Sequence, residues 1–159
     1  MAFLIKNQPA DTRVGLPLIR TFTHVQRATA TPPASTAEEI FTITGGRIVV
    51  HYLVGEVTTV IQNQACNLKI TINPTTGTSF DVASNLDIDN DEAGAIYVVE
   101  GDGTALTGGV GGGSATTARV PFIVPIGGLD IATSATNTGS IKWDLFYEPF
   151  DELAEVVAS

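Results

Sequence analysis

The chain is poor in the groups that carry most protein chemistry: its 159 residues hold one cysteine, two histidines, one tryptophan and three tyrosines. A single thiol, Cys66, excludes an intrachain disulfide, so any stabilisation beyond burial has to come from assembly. With no cysteine–histidine partnership in view, Cys66 reads as a small buried hydrophobe inside a strand. One Cys and two distant His form no recognisable zinc set. Histidine catalysis needs a base held beside a nucleophile, and no G-x-S-x-G elbow marks a serine. His51, with Val49 and Leu53 nearby in sequence, reads as a structural histidine facing a neighbour. The expectation is a chain that is not an enzyme and carries no cofactor.

Positive charge is also scarce. Seventeen acidic residues face eight basic ones, a formal net charge of −9, and the lysines are only Lys6, Lys69 and Lys142. Counterion release at phosphates needs clustered Lys and Arg, and anionic membranes attract basic segments, so neither nucleic acid nor a membrane surface is an expected partner. No run approaches the ~18 apolar residues of a membrane-crossing helix. The opening Phe3-Leu4-Ile5 patch falls short of a secretory signal, so no targeting segment is expected. Charged residues make up 16% of the chain and hydrophobic ones 43%, against about 25% charged in ordinary soluble domains. A surface built of Thr, Ser, Asn, Gly and Ala suits faces covered by neighbouring molecules.

What is present is β-texture. Residues 1–37 read as an extended N-terminal arm, interrupted by Pro9, Pro17, Pro32 and Pro33, which block helix interiors and central strands. Its apolar groups suggest an arm docked on another subunit, with Phe3, Leu4, Ile5, Leu16, Leu18 and Ile19 as anchors. The alternatives are an arm wrapped on its own domain or a loose terminus. Residues 38–159 read as one domain. IFTIT, RIVVHYLVGEVTTVIQ, CNLKITIN, FDVASNLDI, AIYVVE, RVPFIVPI, LDIATS and SIKWDLFYEP give about eight strands separated by turn residues. CNLKITIN alternates cleanly, with Leu68, Ile70 and Ile72 to one face. Gly55 offers a point of bending within the long second segment. The fold class expected is all-β, an antiparallel β-sandwich of jelly-roll-like kind. Only PFDELAEVVA, with Pro149 and the acids Asp151 and Glu152, has the look of a short C-terminal helical turn.

Two motifs suggest chemistry and fall short of it. Asp87, Asp89 and Asp91 match the start of a calcium loop, but Glu92 replaces the required glycine and Val98 the required glutamate; an acidic hairpin turn is the simpler reading. The glycines from Gly101 to Gly113 lack the G-K-[ST] of a phosphate loop and read as a mobile loop.

The blocks IFTITGGRIVVHYLVGEVTTVIQNQACNLKITINPTTGT, FDVASNLDIDNDEAGAIYVVEG and SATNTGSIKWDLFYEP resemble small virion proteins of tailed bacteriophages, most of all head decoration (capsid cement) proteins. The resemblance covers roughly Glu39 to Pro149 and does not extend to the arm. It implies a β-rich subunit, often a homotrimer, bound to the major capsid protein on the outer capsid surface of the virion after synthesis in the bacterial cytoplasm. Two alternatives stay open: a tail, collar or head–tail connector subunit, and a calcium-assisted carbohydrate-binding sandwich module in which Asp87, Asp89 and Asp91 hold the ion. The Thr44-Gly45-Gly46 turn and the glycine-rich loop mark ends of the sheets that could face symmetry mates.

Overall fold

The computed structural model describes residues 22–101, 107–108 and 120–159. Phe3, Leu4, Ile5, Leu16, Leu18 and Ile19 lie outside the described residues, as does most of the glycine-rich segment. The described residues form eleven strands: β1 (Thr23–Ala30), β2 (Ala37–Thr44), β3 (Ile48–Thr59), β4 (Asn67–Pro74), β5 (Phe80–Asp87), β6 (Ile96–Val98), β7 (Thr107–Gly108), β8 (Phe122–Val124), β9 (Gly127–Thr133), β10 (Ser140–Pro149) and β11 (Glu155–Ala158). They form two antiparallel sheets. The first has the order β1-β10-β3-β6-β7, with β8 also on β3; the second has the order β11-β2-β9-β4-β5. The chain is therefore all-β, and no helix occurs among its described residues.

One hydrophobic core serves both sheets. Ile48, Val50, Leu53, Val57, Ile141, Trp143 and Leu145 come from the first, and Phe41, Ile43, Leu68, Ile70, Ile72, Leu129 and Ile131 from the second. Alternation produces this directly: in β4, Leu68, Ile70 and Ile72 point inward while Lys69 and Thr71 remain half-exposed. Such period-2 patterning pins the register, because a one-residue slip would turn the whole apolar set to water. Gly55 sits opposite Trp143 across β3 and β10. A Cβ there would lie 2.9 Å from two indole ring atoms, so this glycine makes room for the tryptophan.

Three expectations are corrected. The segment Thr23–Ala30 is not part of an arm but the edge strand of the first sheet, in register with β10 from Thr23↔Tyr147 to Ala30↔Ile141. Main-chain pairing holds it, helped by the buried Arg27, which bonds Glu38 and donates through Nε to the Ser159 carbonyl at 3.1 Å. The C-terminal segment is not helical: after a turn, Glu155–Ala158 pairs antiparallel with β2, and Val156 enters the core. Ten residues are too few to offset helix nucleation when an open strand edge offers every backbone group a partner. The acidic turn is not a hairpin, because β5 lies in the second sheet and β6 in the first; it is a crossover.

Candidate functional site

The outer face of the first sheet carries a cluster of rings that nothing in the chain's core pattern requires. Its origin is a β-bulge. The register of β3 against β10 steps from Tyr52↔Phe146 to Val50↔Tyr147, leaving His51 without an opposite residue. The extra residue shifts the alternation, so Val50 and Leu53 are fully buried while both His51 and Tyr52 take intermediate exposure on the other side. Bulges are a known means of re-aiming side chains. Phe22, just before β1, stacks on His51 with centroids 4.2 Å apart and meets Tyr52 edge-on at 6.3 Å. Tyr52 meets Phe146 edge-on at 5.9 Å, and His24 stacks on Phe146 at 4.4 Å. Phe22, Tyr52, Val54 and Phe146 line an open apolar recess of about 300 Å³.

Charged groups frame it. His51 Nε2 lies 3.1 Å from Glu148 Oε1. His24 Nε2 lies 2.7 Å from Asp144 Oδ1, which also accepts from Gln26 Nε2 at 2.8 Å. Lys142 Nζ contacts Glu56 at 2.5 Å and Asp144 at 4.0 Å. The hydrogen bond to Glu56, reinforced by the two carboxylate charges, raises the Lys142 pKa. Rings with an apolar body and a polar rim are suited to binding another molecular surface.

A second region that the described residues leave open lies at the end of the sheets where the β2–β3, β4–β5, β8–β9 and β10–β11 connections meet. Arg47 and Asp151 are joined by two side-chain hydrogen bonds of 2.9 Å, and the Arg47 backbone N–H donates to Asp151 Oδ2 at 2.8 Å. These bonds, the side-chain one first, hold the Asp151 pKa down at about 2. The Arg47 guanidinium also sits 4.5 Å over the Phe150 ring. Gly45 has φ +72° and its missing Cβ would meet the Leu153 carbonyl carbon at 2.8 Å, so the Thr44-Gly45-Gly46 turn is clamped against the β10–β11 turn. Phe150 (50% exposed), Leu153 (76%) and Ile126 (40%) stand out in water here.

The residues singled out by sequence are placed as follows. Cys66 is fully buried but precedes β4 instead of lying in a strand, and its Sγ donates to the Ala135 carbonyl at 3.5 Å. Asp87 accepts from the backbone N–H groups of Cys66 and Asp89, each at 3.2 Å. Asp91 is buried and accepts the Tyr97 hydroxyl at 2.6 Å. Burial, followed by the charges of Asp87 and Asp89, raises the Asp91 pKa against the pull of that hydrogen bond. Two of the three turn acids are thus engaged by the chain itself, and among the described residues no group of three or more His, Cys, Asp or Glu side chains converges on a metal position. No described helix is long and apolar enough to cross a membrane. Sequence reasoning missed the ring cluster, whose members come from three strands and one bulge.

No protein-family model, no curated protein and no solved structure matches the chain.

Proposed function

We propose that the chain is a non-enzymatic structural subunit of a virion: a jelly-roll decoration, or cement, protein that binds the outer surface of a tailed-phage capsid. The observation that carries the assembly part is the aromatic recess of Phe22, Tyr52, Val54 and Phe146, which the described residues leave open. Contiguous apolar surface rimmed by polar groups marks interaction sites, and aromatic anchors dominate the energetics of such contacts. The virion setting rests on the resemblance of the sequence blocks.

Strand order supports the jelly roll. With β1, β2, β3, β4, β5, β6, β9 and β10 counted as strands one to eight, one sheet runs one-eight-three-six and the other two-seven-four-five. That is the order obtained when a long antiparallel ribbon is rolled up, and it recurs in viral capsid domains. Lectin domains and cupins share it, so the fold alone does not choose the function.

In this reading the recess meets a second copy of the chain within a trimer, and the Phe150, Leu153 and Ile126 end meets the major capsid protein. Phe3, Leu4, Ile5, Leu16, Leu18 and Ile19 would add further apolar contacts to a neighbouring subunit. Several weak contacts made together lengthen residence on the shell, and contacts that exist only on the assembled shell favour it over disassembly. The net charge of −9 suits a surface turned away from packaged DNA.

The test is co-sedimentation with expanded shells that lack their surface proteins. The chain should pellet with the shells and saturate, and Leu153→Asp should weaken that binding while leaving the mass of the free protein unchanged. A chain that stays in the supernatant with vacant shells overturns the assignment.

A further inference from the structure

On the outer face of the second sheet, two carboxylates close over a glycine. Glu39 of β2 is in register with Asp130 of β9, and Gly128, two residues before Asp130, lies between Thr42 and Asn73 on the flanking strands. A Cβ on Gly128 would stand 2.7 Å from Asp130 Oδ1 and closer still to Glu39 Oε2. Those distances put the two oxygens no more than about 5 Å apart, above a floor that only glycine leaves open.

The rest of each carboxylate is already committed. Glu39 Oε1 accepts the hydroxyl of Ser159 at 3.0 Å and that of Thr42. Asp130 takes a hydrogen bond from Asn73. Asp130 is only 9% exposed, yet its buried Oδ1 has no hydrogen-bond partner. A buried, unpartnered carboxylate oxygen beside a second carboxylate is costly unless a positive charge or a proton joins them. Lys69, on the same face, is held by Asp81 at 3.0 Å. Arg27 is directed to the adjacent Glu38 and the Ser159 carbonyl, and its Nη1 is buried without a hydrogen-bond partner.

We infer that Glu39, Asp130 and the hollow over Gly128 form a binding site for a single calcium-class divalent cation. The ligands the hollow offers a cation are oxygens: two carboxylates, with the Thr42 and Ser159 hydroxyls beside Glu39, while the Asn73 amide stays on Asp130. Hard cations take such ligands, and calcium accepts irregular sets completed by water. Because the site bridges β2 and β9 in the middle of their sheet, the bound ion ties the fold together. The site is separate from the acidic crossover at Asp87–Asp91 and does not depend on the virion assignment.

The experiment is calcium titration of the full chain by calorimetry and thermal melting. Wild type should bind one ion per chain, with Tm rising by about 5–10 °C at a hundredfold excess over Kd. Asp130→Asn and Glu39→Gln should each weaken binding at least about tenfold, as expected when a site loses one of two charged ligands. In calcium-free buffer both variants should melt at or above the wild-type temperature, which guards against a simple folding defect. Asp89→Asn should retain the full response. A wild type indifferent to calcium up to about 10 mM, beyond the range of weak calcium modules, overturns the site. So does a calcium response that survives in both variants, or stabilisation by acid alone, which would mean a shared proton.

Discussion

Replacing Tyr97 by phenylalanine removes one hydroxyl from the core and leaves the ring. That hydroxyl is the donor to Asp91 at 2.6 Å, and the two residues are 0% and 5% exposed. Asp91 in turn fixes the crossover, since its carbonyl accepts the Ile61 N–H at 3.0 Å and brings the β3–β4 connection alongside. A hydrogen bond to a charged group contributes about 1.5–3 kcal/mol, and its loss inside the protein leaves the acceptor desolvated without recompense. The expected cost of Tyr97→Phe is therefore about 2–3 kcal/mol near pH 7, or roughly 5–10 °C in Tm for a chain of this size. The pH dependence has a definite sign. Burial already raises the Asp91 pKa above its ordinary value of 3.8, so the folded state holds that proton more tightly than the unfolded one. The Asp91 contribution is thus most favourable below the unfolded value and is lost as pH rises through the folded one. Without the hydroxyl the folded value climbs further, and the penalty should shrink as the pH is lowered from 7 towards 4. Urea denaturation of both proteins across that range reads the effect, and Asp91→Asn, which carries no charge to strand, should cost less than Tyr97→Phe. Equal stability of Tyr97→Phe and wild type at pH 7, or a deficit that grows on acidification, would refute the assigned role of this bond.

Gly55→Ala should destabilise by about 1–3 kcal/mol through overpacking, because the Trp143 indole occupies the space of the new methyl; urea denaturation and near-ultraviolet circular dichroism of Trp143 report it. Arg47→Ala should return the Asp151 pKa from about 2 towards the usual carboxylate range, measurable by NMR titration of the side-chain carboxyl. Since a lowered folded pKa contributes stability above the unfolded value and loses it as pH falls, this variant should show a shallower loss of stability between pH 4 and pH 2.

How far the sequence reveals the structure differs from element to element. The β4 pattern was legible because one face of that strand meets the core and the other does not, so Leu68, Ile70 and Ile72 alternate with polar residues. β1 was not, since an edge strand held by main-chain pairing needs no such pattern: of its eight residues only Arg27 is fully buried. The end of the chain misled for a related reason. Pro149, Asp151 and Glu152 suit a helix start, but Glu155–Ala158 finds the free edge of β2. The crossover acids looked like a ligand loop because Asp serves both metal binding and local backbone bonding, and only the folded positions of Cys66 and Tyr97 decide between them. The ring cluster was invisible because Phe22, Tyr52 and Phe146 are brought together by cross-strand register and by a bulge at His51. Neither leaves a local mark in the sequence.

Assembly of the chain with itself can be read from its mass in solution, measured by light scattering during size exclusion over a wide concentration range. A trimer should show three times the 16.6 kDa chain mass, and Tyr52→Glu should show a single-chain mass with an intact β-sheet circular dichroism spectrum. A wild-type protein that stays at 16.6 kDa at every concentration would contradict self-assembly.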